Sequence, residues 1–220
     1  MDNNKNTVME IEAFIRSDQY HFIKFQLKSM VAAHSTMKDN EILNAFKFHS
    51  IDKVHALFHD ISESQREILN KLIEIEEEAQ VRNVLAELKA YVIPFTKVTE
   101  KTVAKLFPKI KKLKAPPLEE IDFKAISYLG WYDNRINRKF MIAEHNGKLI
   151  GLQGTFLESQ KGICSLCNGI EELGLFMSIV KSGKETYTSR GNYICRDSQK
   201  CNQNMITLDK LQQFIEVLKE

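Results

Sequence analysis

Cys164-Ser165-Leu166-Cys167 and, further on, Tyr193-Ile194-Cys195-Arg196-Asp197-Ser198-Gln199-Lys200-Cys201 decide how the second half of this chain folds. The first stretch is a C-x2-C knuckle and the second carries a C-x5-C pair. Together they use all 4 cysteines of the chain. Thiolates are soft ligands that suit a tetrahedral zinc ion. A C-x2-C turn brings two sulfurs to one point, where backbone amides stabilise their negative charge. Cys195 ends an expected strand, and Cys201 falls in the first turns of an expected short helix. Between the pairs, Leu175 to Tyr193 reads as a hairpin with turn residues Ser182-Gly183-Lys184. Knuckle, hairpin and strand-to-helix pair make a treble-clef layout. The expected metal is one structural zinc on Cys164, Cys167, Cys195 and Cys201. Four thiolates leave no open position for water, so this metal holds a shape and does no chemistry. Two other readings explain the cysteines less well. Free cysteines are common core residues, and a thioredoxin-like redox site lacks its βαβ context.

The rest of the chain provides the setting. It has 220 residues, 43% hydrophobic and 27% charged, which is the balance of a globular protein with a real core. At ~100–200 residues per domain it holds one large domain or two small ones. No apolar run reaches the ~18 residues of a membrane span. Met1-Asp2-Asn3-Asn4-Lys5 leads into polar residues without a signal-peptide core, so the expected compartment is the cytoplasm. Thiols stay reduced there, which again favours metal over disulfides. A net charge of +2 forces no polyanionic partner.

Before residue 89 the apolar period is helical. Ile23, Leu27, Met30 and Val31 share one face, and Leu43, Phe46, Ile51, Val54, Leu57 and Phe58 form another. Ser62-Glu63-Ser64-Gln65 has the spacing of a capping box. It opens a helix burying Ile68, Leu69, Leu72 and Ile73, and Val84, Leu85 and Leu88 continue on a further segment. The expected domain is a four-helix bundle over residues 1–88. Glu74, Glu76, Glu77 and Glu78 read as a solvated helix face.

Tyr91-Val92-Ile93-Pro94-Phe95 interrupts the helices, because Pro94 forbids continuation and pushes Ile93 toward extended geometry. A mixed α/β domain is expected over 89–220, with the zinc module at about 160–220, so the fold class is α+β. A lysine-rich helix comes first. It carries Lys97, Lys101, Lys105, Lys109, Lys111, Lys112 and Lys114 around an apolar face of Val103, Leu106, Phe107, Ile110 and Leu113. Pro108 predicts a kink in it, and Ala115-Pro116-Pro117 its end. Ile126 and Tyr128 suggest a strand. Lys139 to Ala143 and Lys148 to Phe156 suggest two more around Asn146-Gly147, which suits a type I′ turn. A last helix runs from about Leu208 to Lys219, with Thr207 as N-cap and Leu208, Leu211, Ile215 and Leu218 as its stripe.

No phosphate-loop, dinucleotide, nucleophile-elbow or H-E-x-x-H motif occurs, and an enzyme is not expected. His55 and His59 would share a helix face, but no acidic ligand pairs with them, so they read as ordinary helix histidines. The lysine helix reads as solvated; its alternative is a zinc-containing RNA- or ribosome-binding module. The third class, an enzyme with catalytic groups scattered in sequence, would show itself by a deep pocket of perturbed carboxylates or histidines.

Several segments in order resemble the FusB-type family of fusidic acid resistance proteins, which bind translation elongation factor G. They are Tyr91-Val92-Ile93-Pro94-Phe95, Gly130-Trp131, Asn137-Arg138-Lys139, Cys164-Ser165-Leu166-Cys167-Asn168, Leu175-Phe176-Met177, and Tyr193 through Asn202. The resemblance covers the second domain. The first matches in helical character and length. It implies a helical bundle followed by a mixed domain with a four-cysteine zinc finger. It also implies that this second domain docks on elongation factor G, free or in its ribosome-bound complex, and promotes its release from the ribosome. The drug traps the factor there after GTP hydrolysis, so faster release restores translation. No membrane or DNA partner is implied. The family's contact positions fall on Ile163 (where an aromatic is found in the family), Arg190, Tyr193 and Phe214. Tyr193 stands two residues before Cys195, so both are expected to lean to one face, with Arg190 flanking it. Packing offers each an alternative: Tyr193 as a core strand residue, Phe214 as part of the Leu211 and Ile215 stripe, Arg190 as a solvated turn residue.

Overall fold

A computed structural model describes residues 11–110, 113–182 and 186–219. The chain forms two compact units. One runs from Ile23 to Ile93 together with residues up to Ile15; the other runs from Pro94 onward together with Arg16–Phe22.

The first unit is helical: α1 (Ser17–Thr36) from Ile23 onward, α2 (Asn40–His55), α3 (Glu63–Asn70) and α4 (Glu78–Leu88). Ile23, Leu27 and Met30 of α1, Leu43, Ile51 and Val54 of α2, Leu69 of α3 and Val81, Leu85 and Leu88 of α4 are buried. α2, α3 and α4 each start where a side chain takes up orphan amides. The Asp39 carboxylate accepts from Glu41 and Ile42, and Ser62 and Gln65 form the expected capping box. Ile15 and Val92 form a parallel bridge, and the Ile93 amide donates to the Ile15 carbonyl at 2.8 Å. The segment before Pro94 is therefore extended, as the proline demands.

The acidic run is not one helix face. A 3-10 turn (Lys71–Glu74) ends at the extended Ile75, and Glu77 is the N-cap of α4 in a capping box with Gln80. Glu76, in the break, meets the buried Lys47 at 2.6 Å and His34 at 3.7 Å. A lysine on the inner side of α2 needs an anion, and a helical Glu76 would have pointed elsewhere.

The second unit is an antiparallel meander. Its strands are β1 (Tyr128–Asp133), β2 (Arg138–His145), β3 (Lys148–Ile163), β4 (Ile170–Ser182) and β5 (Tyr187–Cys195), hydrogen-bonded in chain order. Asn146 and Gly147 have φ of 50° and 69°, the left-handed pair that a two-residue β2–β3 turn requires. The hairpin between the cysteine pairs is β4–β5, with Leu175 opposite Tyr193. Of its expected turn, Gly183 and Lys184 lie outside the described residues. β3 runs seven residues past Phe156 and delivers the knuckle at its end.

Alternation along β2 supplies two cores. Phe140 and Ile142 face Val98, Val103, Phe107 and Trp131 on one side. Met141 and Ala143 face the cysteines and the final helix on the other. The first side is covered by α5 (Glu100–Leu106), which is far shorter than the expected lysine-rich helix. Pro108 ends it instead of kinking it. Phe107 leaves helical geometry and lodges its ring edge-on to Trp131 and Phe140, at 5.9 and 5.2 Å. The ring passes so close to β3 that a Cβ on Gly151 would lie 2.8 Å from it. The second side is covered by α6 (Ser198–Asn204) and α7 (Asp209–Lys219). α7 starts at Asp209, and Thr207 accepts that residue's amide at 3.3 Å.

The Lys47 ammonium beside Glu76 holds its carboxyl below the usual carboxylate range, first by hydrogen bonding and then by charge, with His34 adding to it. A depressed folded pKa contributes stability that is present above the unfolded value and lost as pH falls through the folded one. Glu76→Gln should therefore lower the Tm at neutral pH, and the gap to wild type should close below about pH 4. Thermal melts from pH 7 to 3 check this; a constant gap would mean the carboxylate is not the cause.

Candidate metal centre

Three elements bring the cysteines together. The end of β3 leads into the knuckle, where the Cys164 amide donates to the Gly169 carbonyl at 3.0 Å and the Asn168 amide returns to the Cys164 carbonyl at 2.9 Å. Asn168 takes φ of 58°, a left-handed conformation that asparagine tolerates and that closes the turn. The Lys210 ammonium holds its side-chain oxygen. β5 brings Cys195. α6 brings Cys201 one turn after its N-cap Asp197, whose carboxylate accepts from Gln199 and Lys200. Ser165 donates to the Tyr193 carbonyl at 2.9 Å, which stitches the knuckle to β5.

The four sulfurs lie within 4.8 Å of one another and all four residues are buried. Cys164 to Cys201 is 3.8 Å and Cys167 to Cys195 is 3.7 Å, too long for a disulfide. A tetrahedron with zinc–sulfur bonds of ~2.3 Å has sulfur–sulfur edges of about 3.8 Å. Backbone amides also point at the sulfurs. Cys164 accepts from Leu166 at 3.4 Å and from Cys195 at 3.3 Å, and Cys167 accepts from Gly169 at 3.4 Å. The Cys164 thiol is held far below its ordinary range, first by the thiols of Cys167, Cys195 and Cys201 around it. The neighbouring thiols and burial push Cys195 and Cys201 the other way, so the sulfur spacing and the amides aimed at Cys164 and Cys167 carry the fit to a closed, structural zinc. Among the described residues no other cluster of metal-ligating side chains occurs. His59 lies beyond the end of α2, so it does not share a helix face with His55.

Two buried polar residues support the centre, and their roles were not legible in the sequence. Asn202, next to Cys201, accepts from the amides of Ser127 at 2.7 Å and Tyr128 at 3.2 Å. It donates to the carbonyls of Tyr128 at 3.0 Å and Ser198 at 2.8 Å. All four of its bonding positions are used, and they fix α6 on β1. Lys139 of β2 sends its ammonium under the centre, to the carbonyls of Cys195 at 3.0 Å and Arg196 at 2.8 Å, 4.8 Å above the Phe156 ring. Burial pushes it down to about 8, while the thiols of Cys201 and Cys195 pull the other way and keep the proton on. Both residues lie in segments that carried the family resemblance. Nothing short of the partners' positions could have assigned their bonds.

The four expected contact residues do not form one patch. Ile163, at the end of β3, is 66% exposed and Tyr193 is 45% exposed. Phe214 is a core residue of α7, its ring set against Phe176 at 5.6 Å. The stripe Leu211, Phe214, Ile215 and Leu218 makes one buried face of that helix. Arg190 does not flank Tyr193. Three residues apart on a regular stretch of β5, the two side chains leave opposite faces of the strand. The Arg190 guanidinium reaches the Val217 carbonyl at the end of α7, at 3.1 Å.

Asn202→Ala removes the side-chain partner of four backbone groups, three of them in buried bonds, and should cost on the order of 3 kcal/mol. Lys139→Met, which keeps the volume, strands two carbonyls and should cost about 1–3 kcal/mol. Both should release zinc to a chelator faster than wild type, measured with a zinc-sensitive dye. Release at the wild-type rate would separate these residues from the metal.

Known proteins agree with this geometry. Residues 14–96 match the family model of the N-terminal part of elongation factor G-binding proteins. Residues 107–216 match the FBP C-terminal treble-clef zinc-finger model. No curated protein matches the chain at a significant level. Among solved structures, the fusidic acid resistance protein FusC is similar at 31% identity and a TM-score of 0.81, over 93% of this chain and 97% of that one. A helical unit and a zinc-finger unit that match one family in the same order, and a likeness to FusC running through both, show that this chain belongs to the FusB-type family of elongation factor G-binding, fusidic acid resistance proteins.

Proposed function

We propose that this protein binds elongation factor G through the zinc-bearing unit, promotes release of the factor from the ribosome, and so protects translation against fusidic acid. The observation that carries the reading is a set of uncovered apolar side chains beside the four-cysteine centre, on both faces of the sheet. Ile163 and Ile170 are paired across β3 and β4 where the strands meet the knuckle, and they are 66% and 64% exposed. Leu157, Leu175 and Tyr193 form a row across β3, β4 and β5 on the opposite face, since Leu175 and Ile170 are an odd number of residues apart on a regular stretch of β4; Leu157 is 64% exposed. Large apolar side chains left exposed at the same end of a sheet mark a candidate interaction rim.

The zinc fixes the ends of β3 and β5, so little conformational entropy is lost when a partner docks there. β5 is the last strand of the sheet, and Tyr193 and Arg190 rim it from opposite faces. A partner straddling this rim would meet both. Tyr and Arg are the residue types enriched at interface anchors. A four-thiolate zinc has no open position, so the protein would act by holding and displacing its partner, with no bond chemistry at the metal.

The direct test is a pull-down with purified elongation factor G, with and without ribosomes. It should be followed by the rate at which drug-stalled factor leaves ribosomes. Capture of the free factor and faster release are expected; no capture in either form would end the reading. Tyr193→Ala and Arg190→Ala should each weaken binding by about 1–3 kcal/mol by calorimetry, at unchanged zinc content. A folded Tyr193→Ala that binds normally would move the interface away from this rim.

A further inference from the structure

We infer that the lysine-rich segment of the second unit is a contact for the phosphate backbone of RNA, separate from the zinc centre. Residues 97–114 contain 7 Lys and 1 Glu, a net +6. The whole chain is +2, so the remainder is −4 (2 − 6 = −4). The positive charge is thus gathered in one short stretch, which a merely soluble surface does not require.

The fold turns the described lysines of this stretch outward. Val103 and Phe107 are buried on the sheet. Lys101 and Lys105, one turn apart on α5, lie on the side of the helix away from Val103 and are exposed, as are Lys97 before the helix and Lys109 after it. None of these four ammoniums has a hydrogen bond or ion pair to a described residue. Some cations elsewhere find partners, Lys28 with Glu78, Lys47 with Glu76, Arg196 with Glu158 and Lys200 with Glu171, but no other stretch of this length gathers so many lysines. The segment therefore holds cations that the protein itself leaves uncompensated. One helical turn separates Lys101 from Lys105 by ~6 Å along the axis, the scale of successive phosphates on an RNA strand.

Beside them, a groove of about 550 Å³ is walled by Val103, Ala104, Ile110, Leu113 and Ala115 and rimmed by Lys101, Lys114 and Glu100. Apolar walls under a cationic rim suit an unstacked base whose phosphates lie on the lysines. An acidic protein surface would use the rim and leave the apolar walls empty, so RNA is the better occupant. The contact is independent of sequence, because lysines act on phosphate as point charges.

The test uses the full chain and a fluorescein-labelled 20-nucleotide RNA without elongation factor, titrated by anisotropy from 50 to 200 mM KCl. Wild type should bind with a steep salt slope. The triple variant Lys101→Gln, Lys105→Gln, Lys109→Gln should bind at least tenfold more weakly at about 100 mM salt, with a slope shallower by roughly 2–3. The matching arginine triple should restore binding. A control triple in the helical unit, Lys38→Gln, Lys53→Gln, Lys71→Gln, should bind as wild type. Absence of wild-type binding overturns the inference. Equal loss in both glutamine triples overturns it too, since net charge alone would then explain binding. Loss of elongation factor G binding with RNA binding intact would assign the segment to a protein partner and overturn it as well. Intact factor binding beside lost RNA binding supports it, and keeps its outcome separate from that of the proposed protein interface.

Discussion

Four sulfurs must meet one ion at ~2.3 Å, and the second unit is arranged around that requirement. The end of β3 is far in sequence from the end of β5 and the first turns of α6, and the thiolates fix all three at once. The knuckle's amide bonds and the stitch from Ser165 to Tyr193 follow from the same need, since they orient the sulfurs before metal arrives. A small sheet with one edge built this way does not need a thick core at that end.

The metal's negative shell explains the two buried polar residues. A lysine at 1% exposure would be costly in an apolar core. Lys139 is tolerated because two carbonyls and the field of the thiolates receive its charge. Tyr128 completes the surroundings: burial pushes its phenol well above the ordinary value, with the charge of Cys201 adding to it, so the ring stays neutral against the cluster. Asn202 then binds the helix that bears Cys201 to the far strand of the sheet. Metal, sheet and α6 are consequently one cooperative structure.

The two sheet faces are put to different uses. One carries α6, α7 and the metal centre, and leaves aliphatic side chains uncovered near the knuckle. The other carries α5 and its outward lysines. A helix of seven residues is enough there because Phe107 anchors it between Trp131 and Phe140.

The sequence by itself determined the features that rest on local rules. Cysteine spacing, the Asn146-Gly147 turn, the Ser62 capping box and the helical period before Pro94 depend on neighbours a few residues apart, and all are present. The hairpin between the cysteine pairs was also legible, while its register came from the structure. Tertiary structure decided the rest. It broke the acidic run so that Glu76 could reach Lys47, ended the lysine helix at Phe107, buried Phe214, and set Arg190 and Tyr193 on opposite faces. It also gave Lys139 and Asn202 partners more than fifty residues away. Each of these depends on which distant groups share a desolvated space. There a charge or an amide must find its partner wherever the fold has placed it, and no local pattern records that address.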